Sequence, residues 1–168
     1  MSEALPLIVS ADLDPGAMAF LDGLRRAHFP PERNHLAAHL TLFHHLPGEE
    51  LDRIRADLEA VAAGPVEAVL DRVLKLGRGV AFGVASPGLV ALRRELAGRW
   101  APWLTPQDRG WGRPHVTVQN KVTPAAAAAL HAELEAAHVP RPTHVEALRL
   151  WRYLGGPWEP LATVPLAR

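Results

Sequence analysis

The chain contains no cysteine, which excludes disulfides, thiolate metal sites and thiol nucleophiles. It carries no excess of charge: eighteen basic and eighteen acidic residues cancel, so no long-range field favours a long polyanion or an anionic membrane surface. A small anionic ligand held in a local pocket is not affected by that balance. Long apolar runs are lacking as well. The longest one near the start, residues 5–9, is interrupted by Pro6 and is too short for a signal-peptide core or a membrane span. A cytoplasmic protein is the expectation, and nothing in the sequence calls for an obligate protein partner. Only two lysines accompany sixteen arginines, a bias that follows genomic base composition rather than function. What is present, 168 residues of which 48% are hydrophobic and 21% charged, suits one soluble globular domain. Such a chain buries about two-thirds of its unfolded surface.

Proline and glycine mark most element ends. Residues 5–11 read as a strand, and Asp14 followed by Pro15 opens a helix by the usual cap-and-first-turn chemistry. Its apolar positions are Ala17, Phe20, Leu21, Leu24 and His28, at helical spacing. Residues 39–46 form a second strand, and Glu49–Glu50 lead into a helix with Leu51, Ile54, Leu58 and Val61 on its inner face. Residues 66–76 and 80–85 read as paired strands. Ser86–Pro87 caps a helix with the stripe Leu89, Leu92, Leu96 and Trp100, a polar and aromatic loop covers 101–114, and a strand covers 115–122. Thr123–Pro124 starts a last helix, and residues 144–153 and 158–164 form a hairpin. Arg25–Arg26 and Arg93–Arg94 are placed on the solvated sides of their helices.

The element order is strand, helix, strand, helix, strand, then the same again plus one strand. A shift of 76 residues lays 39–60 on 115–136 without a gap, with His, Thr, Ala, Leu, Glu and Ala coinciding at 39/115, 41/117, 56/132, 58/134, 59/135 and 60/136. Alanine-rich helices align easily, but that does not account for the paired His and Thr. The expected fold is therefore α+β: a single domain, 1–168, of two duplicated β-α-β-α-β lobes with mainly antiparallel sheets around a central cleft. In sequence the lobes are about 1–77 and 78–168, with strands free to be exchanged between them.

The tetrad His39-Leu40-Thr41-Leu42 recurs as His115-Val116-Thr117-Val118. Two such tetrads arise by accident in roughly one of several hundred chains of this composition. On a strand, alternate side chains take opposite faces, so the Leu and Val go inward and each His shares the other face with its Thr, about 7 Å away. Phe43 and His45 continue that face in the first motif, and Gln119 and Lys121 in the second. Two imidazoles and two hydroxyls across one groove suit phosphoester cleavage. One neutral ring accepts a proton from water or a hydroxyl while one imidazolium protonates the leaving oxygen. The threonines, with Lys121 or a nearby arginine, hydrogen-bond the phosphate oxygens. This chemistry requires no metal and no cofactor, and it predicts a bell-shaped pH profile that belongs to the pair.

At these residues the sequence resembles the two-histidine (2H) phosphoesterase superfamily, which includes the bacterial 2'-5' RNA ligase-like proteins. The resemblance covers essentially the whole chain and is specific at the two tetrads. It implies a bilobal α+β fold and metal-free hydrolysis of a 2',3'-cyclic phosphate, or a related cyclic phosphodiester, on a nucleotide or RNA end. It also implies joining or opening of 2'-5' RNA linkages in some members. It makes His39 and His115 the acid–base pair, with His115 as base and His39 as acid, and Thr41 and Thr117 the phosphate ligands. Many relatives carry an arginine shortly after the second motif, where this chain has Gln119-Asn120-Lys121; Arg113 or Lys121 is expected to supply the charge. The alternative reading is a non-catalytic module that binds a nucleotide or RNA end in the same cleft.

Phe43, His45, Arg113, Gln119 and Lys121 are the candidate substrate-binding residues. Trp103, Trp111, Trp151 and Tyr153 are further candidates for the cleft wall. His35, His39, His44 and His45 lie close in sequence. They lack the helical spacing with an intervening glutamate of a zinc enzyme, and no metal site is expected.

Overall fold

The computed structural model describes residues 4–166. Seven strands and five helices follow one another as β1 (Leu7–Leu13), α1 (Pro15–His28), β2 (Leu40–Leu46), α2 (Leu51–Val61), β3 (Val66–Leu76), β4 (Gly79–Ala85), α3 (Pro87–Arg99), α4 (Pro106–Arg109), β5 (His115–Gln119), α5 (Pro124–Ala137), β6 (Arg141–Tyr153) and β7 (Trp158–Pro165). The expected antiparallel α+β architecture is what the chain adopts, and its strands join into one continuous sheet. Their order is β2-β1-β6-β3-β4-β5, with β7 also paired to β6.

β6 makes this arrangement possible. Its first residues, Arg141–Val145, pair with β3, while Ala147–Tyr153 pair with β7; β1 takes Val145–Arg152. One long strand thus belongs to two four-stranded groups, β2-β1-β6-β7 and β5-β4-β3-β6. The outermost strands, β2 and β5, come into contact with each other, so the sheet curls until its two borders meet. These are the strands that carry the two tetrads.

Local chemistry sets the helix ends. Asp14 accepts from Ala17 N at 2.9 Å, Ser86 from Leu89 N at 3.3 Å and Thr123 from Ala126 N at 3.1 Å, each with proline in the first turn. Each side-chain oxygen satisfies an amide that the helix leaves without a partner. Leu40, Leu42, Val116 and Val118 are fully buried together with Ile54, Leu58, Leu89, Leu96 and Trp100. The alternation of apolar and polar residues in the tetrads therefore separates core from cleft as the pattern requires.

Two helix faces take in an arginine beside the expected apolar residues, of which Leu89 and Leu96 on α3 and Trp100 at its end are fully buried as expected. On α1 the buried positions are Ala17, Leu21 and Arg25, while Phe20 is 40% exposed. On α3 they are Leu89, Arg93 and Leu96. Arg25 and Arg93 are only 5% and 7% exposed, so they do not lie on solvated faces. A guanidinium is buried when it finds enough acceptors, and both of these do.

Candidate active site

Each motif histidine is oriented by the backbone two residues before it. His39 Nδ1 lies 2.8 Å from Ala37 O and His115 Nδ1 lies 3.1 Å from Arg113 O. A carbonyl oxygen only accepts, so Nδ1 carries the hydrogen in both rings and Nε2 is the nitrogen left for chemistry. The same device at both tetrads is what the internal repeat looks like at the level of atoms.

The ring of His39 packs 4.7 Å from that of Trp158 at 57°. Burial pushes its pKa down from 6.5 to about 4; the bond to Ala37 O opposes this, while Arg25, His44 and His115 add further depression. His39 is therefore neutral at neutral pH, and His115 is close enough to influence it. His115 itself is exposed. Thr41 and Thr117 are half-buried. Ser10 pairs with Thr41 across β1 and β2 and with Arg149 across β1 and β6, which places Thr41, Ser10 and Arg149 in one row on one face.

The two buried arginines bind the motifs to each other. Arg25 Nε donates to Asn34 Oδ1 at 2.9 Å and to Leu36 O at 3.0 Å, and its Nη1 donates to Thr117 O at 3.0 Å. It joins the approach to His39 to the strand of His115. Arg93 does the converse: its Nε donates to Leu42 O at 3.1 Å and its Nη2 to Asp108 O at 2.6 Å. Its guanidinium lies 4.1 Å from the Phe43 ring centroid and 4.8 Å from that of Trp111, and Trp111 Nε1 donates to Thr41 O at 3.0 Å. Asp108, fully buried, accepts from His44 N at 2.8 Å, His44 Nδ1 at 3.0 Å and His45 N at 3.1 Å. Burial alone would raise the Asp108 pKa, but these hydrogen bonds outweigh it and hold the carboxyl below 3.8.

His39 and His115 lie within electrostatic reach of each other, next to or on the contacting strands β2 and β5, each two residues before its Thr; the other candidates are dispersed. Phe43 is fully buried against Trp100 and offers no face to a ligand. The cause is an irregularity in β2, where Val9 pairs with Phe43 but Ser10 pairs with Thr41; the extra residue shifts the alternation. His45 is exposed but lines a separate hollow with Trp103 and Thr105. Gln119 is buried. Lys121 lies past the end of β5, in a turn with φ 61°, so strand alternation does not aim it at the cleft. Arg113 donates to Asp71 Oδ1 at 2.6 Å and lies across Gly83, where a Cβ would stand 2.6 Å from its Nη2. It is a committed ion-pair partner, not a free cation.

Of the remaining aromatics, Trp151 and Trp158 line a groove with His39, whereas Trp111 serves as the hydrogen-bond donor to β2. Tyr153 pairs with Trp158 at the end of the hairpin. Arg25, Arg93 and Asp108 escaped sequence reasoning. The usable signal for the arginines was their helical register, four residues after Leu21 and Leu89 on otherwise apolar stripes. Among the described residues no group of three or more His, Asp or Glu side chains is placed to hold a metal ion, and no helix is long and apolar enough to cross a membrane.

An antiparallel α+β sheet with a His-x-Thr tetrad on each of its two meeting borders defines the two-histidine phosphoesterase class. Within it, the family model of the 2'-5' RNA ligase superfamily matches residues 13–157, and the chain belongs to that superfamily. No curated protein sequence matches it significantly. Among solved structures it is similar to E. coli LigT complexed with 3'-AMP, at 22% identity and a TM-score of 0.64 over 99% of this chain and 100% of that one. TT0787 of Thermus thermophilus gives 19% and 0.67 over 96% and 98%. Usb1 of Kluyveromyces marxianus gives 15% and 0.51 over 95% and 96%. These likenesses show a shared fold.

Proposed function

We propose that the protein is a metal-independent phosphoesterase that opens a 2',3'-cyclic phosphate, or a related cyclic phosphodiester, on a nucleotide or RNA end. The observation that carries this reading is the matched pair of imidazoles, each with Nδ1–H spent on a backbone carbonyl and Nε2 available. Binding alone needs no such pair; acid–base chemistry does.

His39 is the ring held neutral, so it is the base. Its Nε2 takes a proton from water as the water oxygen bonds to phosphorus. The bond from phosphorus to one ribose oxygen breaks, and His115 gives that oxygen its Nε2 proton. The roles are the reverse of those the resemblance implied. Thr41 and Thr117 donate hydroxyl hydrogens to the two non-bridging oxygens as their charge grows. LigT in complex with 3'-AMP and with phosphate supports a nucleotide phosphate as the ligand class. The reading includes one domain of two lobes sharing β6, and a cytoplasmic location.

The test is incubation with the four nucleoside 2',3'-cyclic phosphates, with and without EDTA. Turnover that survives EDTA and is lost in both His39→Ala and His115→Ala supports the enzyme. Tight nucleotide binding with no turnover by the wild type would mean a binding module. Activity lost in EDTA and restored by zinc would overturn the mechanism.

A further inference from the structure

A cavity of about 360 Å³ opens beside His39 and is lined by Asp12, Glu146, Arg149, Trp151 and Trp158. Its size falls within the range of small-molecule sites, as do its apolar walls with a few polar groups. The aromatic side is built by Trp158, against His39, and by Trp151, whose ring lies 5.8 Å from Trp158 and is fixed by an Nε1 bond of 2.9 Å to Ser10 Oγ. The polar side holds a carboxylate in an unusual state. Asp12 is about a third exposed (32%), and its ion-pair partner Arg149 stays 3.9 Å away, longer than a hydrogen bond. The Arg149 guanidinium is stacked instead on Trp151, 4.2 Å from the ring centroid. Glu146, the second carboxylate, is already bound to His144 Nε2 at 2.8 Å. Burial, with a smaller push from Glu146, raises the Asp12 pKa despite Arg149, as expected of a carboxylate short of donors.

Resting on the nucleotide phosphoesterase reading, we infer that this cavity is the base subsite and that Asp12 selects guanine. With the phosphate at His39, the base of the same nucleotide enters the adjoining cavity. A carboxylate there accepts from adjacent N–H groups. Guanine presents two side by side, N1–H and N2–H, and satisfies both oxygens at once. Adenine and cytosine each place a ring-nitrogen acceptor next to their amino group, and uracil flanks its one N–H with carbonyls. Each of these turns lone pairs toward the carboxylate, and a site built to receive donors rejects a ligand lacking them strongly.

The experiment compares kcat/KM for guanosine and uridine 2',3'-cyclic phosphates in the wild type and in Asp12→Asn. A wild-type ratio of about ten or more that falls to within about threefold of unity in the variant is the expected result. A wild type that treats both bases alike, or a preference that survives Asp12→Asn, overturns the inference while leaving the phosphoesterase reading intact. If neither substrate is turned over, that reading fails, and calorimetry with guanosine and uridine 3'-monophosphates decides the subsite alone. Guanosine-selective binding that depends on Asp12 upholds it, and equal binding refutes it.

Discussion

The protonation of His39 gives the sharpest quantitative test. A pKa lowered from 6.5 to about 4 leaves about 97% of the ring neutral at pH 5.5, against about 9% for an ordinary imidazole. Because kcat/KM reports the free enzyme, its acid limb should lie near pH 4, and the rate constant at pH 5.5 should be about tenfold higher than an unperturbed base would allow. Arg25 is one of the depressing charges, so Arg25→Met should move the limb upward in pH. The assay is cyclic-nucleotide hydrolysis from pH 3.5 to 9, with circular dichroism to confirm folding at the acid end. The same shift has a stability counterpart. A histidine whose folded pKa is depressed destabilises the fold as it protonates. The contribution is complete above pH 6.5 and is lost as the pH falls toward 4, by at most about 3 kcal/mol. An acid limb centred near 6.5, or a His39 ring that titrates there by NMR, would refute the reasoning.

Arg93→Met strips Leu42 O of its guanidinium donor and leaves Asp108 O with the longer bond of 3.4 Å from Trp111 N; urea unfolding should show a loss of about 3 kcal/mol, with kcat reduced more than KM is raised. Gly83→Ala drives a Cβ into the guanidinium of Arg113, 2.6 Å from Nη2, and toward Asp71 Oδ1 at 2.9 Å. The ion pair must shift, at about 1–3 kcal/mol by thermal denaturation, and activity should fall because Arg113 O orients His115. Trp111→Phe keeps an aromatic ring but leaves Thr41 O without its donor, which should cost about 1 kcal/mol and lower kcat several-fold. Hydrolysis in EDTA should match that in buffer, because the proposed transfer of protons by two imidazoles needs no metal ion.

The tetrads were legible because one physical rule, alternation on a strand, governs them: a fully buried Leu or Val on one side and His with Thr on the other. Caps were legible for the same reason, since Asp14, Ser86 and Thr123 act within three residues of themselves. What escaped depends on distant chain. Nothing near Phe43 in sequence announces the irregular pairing with Val9 that turns it into the core. Arg25 and Arg93 read as solvated because their acceptors, Thr117 O and Leu42 O, lie 92 and 51 residues away. Lys121 was extrapolated from a strand that stops at Gln119. Only at Lys121 does the period run past the end of its strand; at Phe43 it is broken inside the strand, and at the arginines it is overridden by distant acceptors.

The side chains that join β2 and β5 also bear on how the molecule behaves in concentrated solution. Unsatisfied amides and carbonyls along the rim of a sheet invite another chain to add as an extra strand. Here the carbonyls of Thr41, Leu42 and Thr117 are occupied by Trp111, Arg93 and Arg25, and the amides of His44 and His45 by Asp108. The groups that align the two borders therefore also occupy backbone positions, most of them on β2, that a second copy would need in order to add as a strand.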